Sequence, residues 1–262
     1  MDLGLTGKRV LISGSTQGIG YAVAAAARRE GASVIVNGRT PDRVSAATER
    51  LRREIDASGE VTGISADLTD PAQIDSLLDA VGAVDVLINN AGTFGLMDFT
   101  ETTDADWQGQ FDLNLMAGMR LSRRLLPPML QRGWGRIVFI GTESAVDVPG
   151  DMIPYGTMKA ASLALAAGLA KLTRGTEVTV NTVLGGPAYS DGVAATVEQI
   201  AAAQSMTVEQ LKAGLVRDSS LLQRFIHPRE IADLVVYLSS PLASATNGAA
   251  LRADGGVLTT AY

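Results

Sequence analysis

Short runs of β-branched and aliphatic residues recur along the chain, and each is followed by a longer stretch with helical spacing. Arg9 to Ser13 ("RVLIS") is the first run, followed by a glycine-rich turn and an alanine-rich helix over Ile19 to Glu30. Ser33 to Asn37 and Val61 to Ser65 are the second and third, with a charged helix near Pro41 to Ala57 between them and another helix from Pro71. Val84 to Asn89 precedes a long helix over about Asp104 to Leu130, and Arg136 to Gly141 precedes a helix opened by Pro154. Val178 to Leu184 is the sixth run, and Ala249 to Ala253, after a helix over Pro228 to Ser240, is the seventh. Strands alternating with helices at this rhythm predict a parallel sheet covered on both faces. The strands are apolar almost throughout, as burial on both sides requires. The fold class expected is α/β: a Rossmann-like, doubly wound, seven-stranded parallel sheet with helices on both faces. No Pro/Ser-rich linker divides residues 1–262, so one domain is expected.

Asp191 to Arg224 breaks the rhythm. It is rich in Ala, Gln and Glu, and it falls between the last two strands. An insertion there would cover the carboxyl ends of the strands, where open α/β sheets bind ligands. A substrate-covering lid, marginally ordered without ligand, is the expectation.

Composition narrows the function classes. The chain is 46% hydrophobic and 19% charged, with a net charge of −6, so no electrostatic footprint for nucleic acid is expected. It has no cysteine, which excludes disulfides, thiolate metal sites and a cysteine nucleophile. No metal site is expected, and the one histidine, His227, reads as a loop residue. "MDLGLTGKRV" lacks the apolar core of a signal peptide, and the uncharged stretches fall short of a membrane span. A cytoplasmic protein with no membrane partner is expected.

Chemistry enters at the first turn. "GSTQGIG" (Gly14, Ser15, Thr16, Gln17, Gly18, Ile19, Gly20) follows a strand and opens a helix, the context in which glycines let backbone approach a dinucleotide's pyrophosphate. The spacing is G-x-x-x-G-x-G, and a merely packed turn would also use glycines. At the end of the second strand, where a site for unphosphorylated dinucleotide places an acid, stand Gly38 and Arg39. An arginine without a neighbouring acid suits a 2′-phosphate, so NADP(H) is the cofactor expected.

"PYGTMKAA" puts Tyr155 at a helix start behind Pro154 and Lys159 one turn later on the same face. An ammonium near a phenol lowers its pKa towards the range a general acid–base needs. Two side chains reaching from a helix into solvent would show the same spacing. The glycine turn, Asn114 and an upstream hydroxyl favour chemistry.

Taken together the motifs resemble the short-chain dehydrogenase/reductase family over about Leu5 to Val257. "GSTQGIG" is similar to its glycine motif, "DLTD" with Asp67 and Leu68 to its adenine-contacting turn, and "NNAG" with Asn90, Ala91 and Gly92 to the motif ending its fourth strand. "DLN" puts Asn114 at the family's catalytic asparagine, "YGTMK" matches Tyr-x-x-x-Lys, and "ADGG" resembles the last strand and turn. Two departures stand out. "FIGTES" carries Thr142 where the family has its catalytic serine, and Gly185-Gly186 replaces Pro-Gly after the sixth strand.

The resemblance implies an NADP(H)-dependent oxidoreductase that reduces a ketone to an alcohol reversibly, on a small-molecule substrate. Tyr155 would be the general acid/base, and Lys159 would tune it and hold the nicotinamide ribose. A hydroxyl of the fifth strand would polarise the carbonyl, and Asn114 would hold a water linking Lys159 to solvent. Gly186 and Ala188 would flank the nicotinamide. Thr142, Glu143, Ser144 and Tyr189 are candidate substrate contacts, with Thr142 favoured over Ser144 as the polarising group. Two other functions stay open: a 3-oxoacyl thioester reductase, for which Arg120, Arg123, Arg124, Arg132 and Arg136 could dock an acidic carrier, and a regulatory NADP-binding protein with vestigial activity. The helix "KAASLALAAGLAKLT" is apolar nearly all round, so a homotetramer burying it is expected, with a dimer as fallback.

Overall fold

The structure is a computed structural model, and it describes residues 2–203 and 206–260. Seven strands form one parallel sheet in the order β3-β2-β1-β4-β5-β6-β7. They are β1 Arg9–Ile12, β2 Ser33–Gly38, β3 Val61–Ser65, β4 Val86–Asn89, β5 Trp134–Thr142, β6 Glu177–Gly185 and β7 Ala250–Ala253. The helices between them are α1 Gly18–Arg29, α2 Pro41–Glu54, α3 Pro71–Val81, α4 Asp104–Phe111, α5 Ala117–Arg132, α6 Ile153–Lys171, α7 Asp191–Ala203, α8 Val208–Gly214 and α9 Pro228–Ser239.

Alternation along each strand divides the core in two. Val10 and Ile12 of β1 and Val138 and Ile140 of β5 join the alanines of α1 and Val235 and Val236 of α9 on one face. Leu11, Ile137 and Phe139 pack on the other, against Leu77 of α3, Leu121 and Leu125 of α5 and Ala166 of α6. Successive strand side chains point to opposite faces, so a nearly continuous apolar run feeds both layers. Local signals set the helix starts. Asp70 accepts from the amide of Ala72 at 2.9 Å with Pro71 in the first turn, and Thr103 and Asp106 form a reciprocal cap on α4.

Two of the departures from the sequence reading bear on the site. The long helix expected over Asp104 to Leu130 is not uniform: Asp112–Met116 winds as a single π turn between α4 and α5, and α5 continues to Arg132 with Pro127 and Pro128 inside it. Such turns are associated with functional sites, and this one carries Asn114. Strand β5 also runs one residue further than Gly141, to Thr142, which pairs with Gly185 of β6.

The order reverses between β1 and β4, so the carboxyl ends of these neighbours open a crevice at the switch point. Gly14–Gly20 lies at one lip and Asn89–Gly92 at the other. The insertion forms α7 and α8, whose own small core is Val197, Ala201 and Leu211 with Tyr189, Val193 and Val208 packed against it. Residues 204 and 205 of the expected lid lie outside the described residues. No helix among the described residues is long and apolar enough to cross a membrane.

Candidate active site

The glycine turn is built to admit something close. Gly14 and Gly18 have φ of +61° and +60°, which favours glycine. A Cβ on Gly14 would lie 2.9 Å from Cα of Ala91, and one on Gly20 would lie 2.5 Å from the side-chain nitrogen of Asn90. The turn is pinned from both sides. Asn37, buried in β2, accepts from the Gly14 amide at 3.2 Å, and Ser15 and Asn37 exchange two further bonds. The Asn90 side chain donates to the carbonyls of Ser13 and Gly14, and the Ser13 hydroxyl accepts from the amides of Asn90 and Ala91. Ser13 and Asn37 were not anticipated; the available signal was a polar residue closing an apolar run. The Gly18 amide, at the N-terminus of α1, already holds a carboxylate oxygen, that of Asp191 at 3.1 Å. An oxyanion fits this position, as helix N-termini generally allow. Thr16, Gln17 and Ile19 complete the same turn.

At the end of β2 the side chain of Arg39 is exposed. A Cβ on the preceding Gly38 would come 2.5 Å from Cγ2 of Thr16 and 3.2 Å from Cγ2 of Val44. The space an acid would need there is filled. Asp67 turns its carboxylate into its own loop, accepting from the amide and hydroxyl of Thr69, and the side chain of Leu68 is buried in the core beneath α3. Only the backbone of Leu68 is available to a ligand.

On the other side of the crevice, Pro154 in the first turn of α6 sets Tyr155 at the helix start and Lys159 one turn on. Lys159 is buried and donates to the carbonyl of Ile140 at 2.9 Å. Burial lowers its pKa to about 8. Tyr155 departs from the sequence expectation. Its pKa is raised rather than lowered, first by burial and then by the carboxylate of Glu143, with the neighbouring Thr142 side chain pulling the other way. The Lys159 ammonium sits 5.8 Å from the centre of the phenol ring, too weak an influence to reverse burial. Phe94 meets the same ring edge-on, centroids 6.3 Å apart, and more than half of its own surface is open. It adds an apolar wall that no sequence signal marked.

Thr142, Glu143 and Ser144 are all buried at the end of β5. The Thr142 hydroxyl donates to Glu143 Oε2 at 2.5 Å, and Ser144 Oγ lies 3.4 Å from Oε1. Arg217, from the segment after α8, places its guanidinium 3.5 Å from Oε1. Of the two competing hydroxyls, Thr142 is the one near enough to influence the phenol of Tyr155. Arg217 was missed because its partner is distant in sequence.

Asn114 is held tightly. Its amide donates to the Thr93 carbonyl at 2.9 Å and to Gln110 Oε1 at 2.6 Å, its Oδ1 accepts from the Thr93 amide, and its carbonyl accepts from Ser162. Gly92 separates it from the lysine: a Cβ there would lie 2.7 Å from Asn114 Oδ1 and 3.3 Å from Lys159 Nζ. A small polar void behind these groups is lined by Asn89, Asn114, Lys159 and Ser162. Oδ1 of Asn89 is buried there without a partner among the described residues, a position where water would satisfy it.

Gly186 is forced by the backbone of Asp254, 2.6 Å from where its Cβ would stand. Ala188 bridges to Ile226, and Tyr189 packs edge-on against Phe225 with the Lys212 ammonium 4.4 Å above its ring. Tyr189 is therefore part of the packing of the α7–α8 insertion. His227 precedes α9, its amide donating to Glu230. Among the described residues, no three His, Cys, Asp or Glu side chains gather as a metal would need. The arginines read as a possible carrier patch are mostly spent internally: Arg124 pairs with Asp79, Arg120 with Asp112, Arg132 donates to the Val84 carbonyl, and Arg136 is buried against the Ser240 carbonyl.

Residues 8–201 match the family model described as short chain dehydrogenase. The chain is 40% identical to the uncharacterised oxidoreductase YvrD of Bacillus subtilis, over 98% of this chain and 99% of the relative. It is 30% identical to the 3-oxoacyl-[acyl-carrier-protein] reductase of Aquifex aeolicus, over 98% of this chain and all of the relative. Among solved structures, the L-sorbose reductase of Gluconobacter frateurii, complexed with NADPH and L-sorbose, is similar with a TM-score of 0.94 and 30% identity, over 99% of this chain and all of that one.

Proposed function

This chain belongs to the short-chain dehydrogenase family, and within it we propose an NADP(H)-dependent oxidoreductase that reduces a ketone to an alcohol, reversibly. The observation that carries this reading is the meeting of two chain segments: Thr142 at the end of β5 lies beside the phenol of Tyr155 at the start of α6, with Lys159 buried one turn on and bonded to the Ile140 carbonyl. The L-sorbose reductase, whose structure holds NADPH, supports the choice of cofactor and of a carbonyl substrate.

The residues at the crevice fit the dinucleotide. The Gly14–Gly20 turn and the N-terminus of α1 would hold its pyrophosphate, and Arg39 a 2′-phosphate, with Gly38 leaving no room for the acid that would prefer NAD. Asp67 and the Leu68 backbone would border the adenine, Asn90 to Gly92 the adjoining ribose, and Gly186 and Ala188 the nicotinamide. When bound, NADPH supplies a hydride for the carbonyl carbon. Tyr155 gives its phenolic proton to the carbonyl oxygen, completing the alcohol. Its raised pKa keeps that proton in place at neutral pH, as the reductive direction needs. Thr142 would orient the oxygen and Lys159 would hold the ribose, while Asn114 fixes the π turn against the Thr93 backbone beside Lys159. Consumption of NADPH with a panel of ketones, diketones and acetoacetyl thioesters tests the reading. Turnover of thioesters alone would make it a 3-oxoacyl reductase, and NADPH binding with no turnover a regulatory protein.

The same proposal includes a homotetramer in the cytoplasm. Thr157, Ala164, Ala167 and Gly168 leave an exposed strip of small side chains on α6. On the neighbouring α5, the Arg120 Nη1 is buried without an acceptor among the described residues. A second subunit would cover the first and complete the second. Light scattering showing a monomer at micromolar concentration would overturn this part.

A further inference from the structure

Thr142 has one hydroxyl proton, and the structure commits it. Its Oγ1 lies 2.5 Å from Glu143 Oε2, the length of a hydroxyl-to-carboxylate hydrogen bond. A carboxylate only accepts, so the proton points at Glu143. Thr142 is left with lone pairs for the phenol of Tyr155 and for whatever enters the site. A carbonyl oxygen is also an acceptor. With this arrangement Thr142 cannot polarise it.

Glu143 itself has capacity to spare. It is 4% exposed, and apart from Thr142 its side-chain partners are long contacts: Ser144 Oγ at 3.4 Å and Arg217 Nη2 at 3.5 Å. A carboxylate offers about four lone-pair sites, and among the described residues a single one here takes a short bond. A buried carboxylate so thinly satisfied at the mouth of a carbonyl site invites a donor from the substrate.

We propose that Glu143 is a specificity-determining residue that selects ketones carrying a hydroxyl on the carbon next to the carbonyl. This rests on the pairing of Thr142 with Tyr155 proposed above. The substrate hydroxyl donates to Glu143 Oε2 in place of Thr142. The Thr142 hydroxyl, released by rotation about its C–O bond, then donates to the carbonyl oxygen that Tyr155 protonates. The geometry suits the exchange: the two oxygens of a syn hydroxyketone are themselves about 2.7 Å apart, an ordinary O–H···O separation, and Oγ1 and Oε2 are 2.5 Å apart. A plain ketone has no hydrogen to offer and meets a Thr142 whose proton is held by a charge-assisted bond. A diketone meets the same block. Among the described residues, the charged and titratable groups that face the carboxylate are Arg217 from the segment after α8 and Tyr155 on α6.

The test compares acetone, hydroxyacetone and diacetyl with NADPH, using wild-type protein and Glu143→Gln. In the wild type, hydroxyacetone should exceed acetone and diacetyl in kcat/KM by on the order of 10²-fold, the effect of one polarising donor, with much of the gain in kcat. In Glu143→Gln, which lacks the charge holding the Thr142 proton, the ratio of hydroxyacetone to acetone should fall below about tenfold. NADPH affinity unchanged in the variant would show it folded. If the wild type turns over acetone or diacetyl within about threefold of hydroxyacetone, this inference fails while the ketone-reductase reading stands. A ratio preserved in Glu143→Gln also overturns it. If the wild type turns over none of the three, both readings fall together. Should Glu143→Gln not fold, the wild-type comparison alone decides.

Discussion

The backbone amide of Gly18 donates to the carboxylate of Asp191 at 3.1 Å, joining the first turn of α1 to the first residue of α7. The two are 173 positions apart. Ser190 closes on the same glycine, its Cβ 3.4 Å from where a Gly18 Cβ would stand. An acid side chain thus occupies the helix terminus proposed for the pyrophosphate.

Cofactor entry should therefore displace Asp191, and Asp191→Asn should bind NADPH more tightly. A carboxylate at a helix N-terminus is worth about 0.3–1 kcal/mol, which corresponds to up to about fivefold in Kd. The difference should shrink in high salt, where exposed charges are screened. Fluorescence titration at two ionic strengths measures both. A weaker or unchanged Kd would mean that Asp191 keeps its place when the cofactor binds.

Arg39 should set the choice between cofactors. Replacing it with Asp removes one charge-assisted bond and adds repulsion, which should weaken NADPH by about tenfold or more and narrow its advantage over NADH. Gly38→Asp should be destabilising instead of a clean switch, because its Cβ meets Thr16. A wild type that binds NADH more tightly than NADPH would contradict this account of the β2 end.

Thr142 and Ser144 are separable by mutation. Thr142→Ala should cost on the order of 10²–10³ in kcat with NADPH affinity intact. Thr142→Ser keeps the donor and acceptor and should keep most of the activity. Ser144 makes a single long contact to Glu143, so Ser144→Ala should be mild. Steady-state kinetics decide. The reverse ranking would move the polarising role to Ser144.

Lys159 gives a stability prediction with a definite sign. Its folded pKa of about 8 lies below the unfolded value of 10.5. Between these two values the unfolded chain carries a proton that the folded one has lost, so this group's contribution to stability rises with pH across that window. Below about pH 8 the buried charge costs its full amount. Lys159→Met removes it along with the bond to the Ile140 carbonyl, and should stabilise the cofactor-free protein at pH 7 by about 1–2 kcal/mol while abolishing activity. The gain in Tm should close as pH approaches 10. A Tm that falls at pH 7 would show that the bond to Ile140 outweighs the burial of the charge.

The sequence by itself determined the seven strands and the helices that alternate with them, and the structure alone put the strands in their order. Val10, Leu11 and Ile12, or Ile137, Val138, Phe139 and Ile140, could only be strands buried on both faces, and the turns between them carry their own chemistry in Gly14, Gly18, Asp70 and Pro154. These are local rules: periodicity, capping and backbone freedom act over a few residues and can be read from them. It also marked most of the candidate site, because Tyr155 and Lys159 are one helical turn apart and the glycine turn adjoins a strand. The tertiary structure alone decided the environments. The phenol of Tyr155 is pushed up because burial and Glu143 outweigh an ammonium 5.8 Å from its ring. Asn114 faces the site because of a π turn that helical spacing does not announce. Glu143 meets Arg217, and Gly18 meets Asp191, only because the insertion after β6 packs back against them. Charge, desolvation and hydrogen-bond competition depend on distances through space, and the pairs that set them here are separated by 12, 74 and 173 positions along the chain.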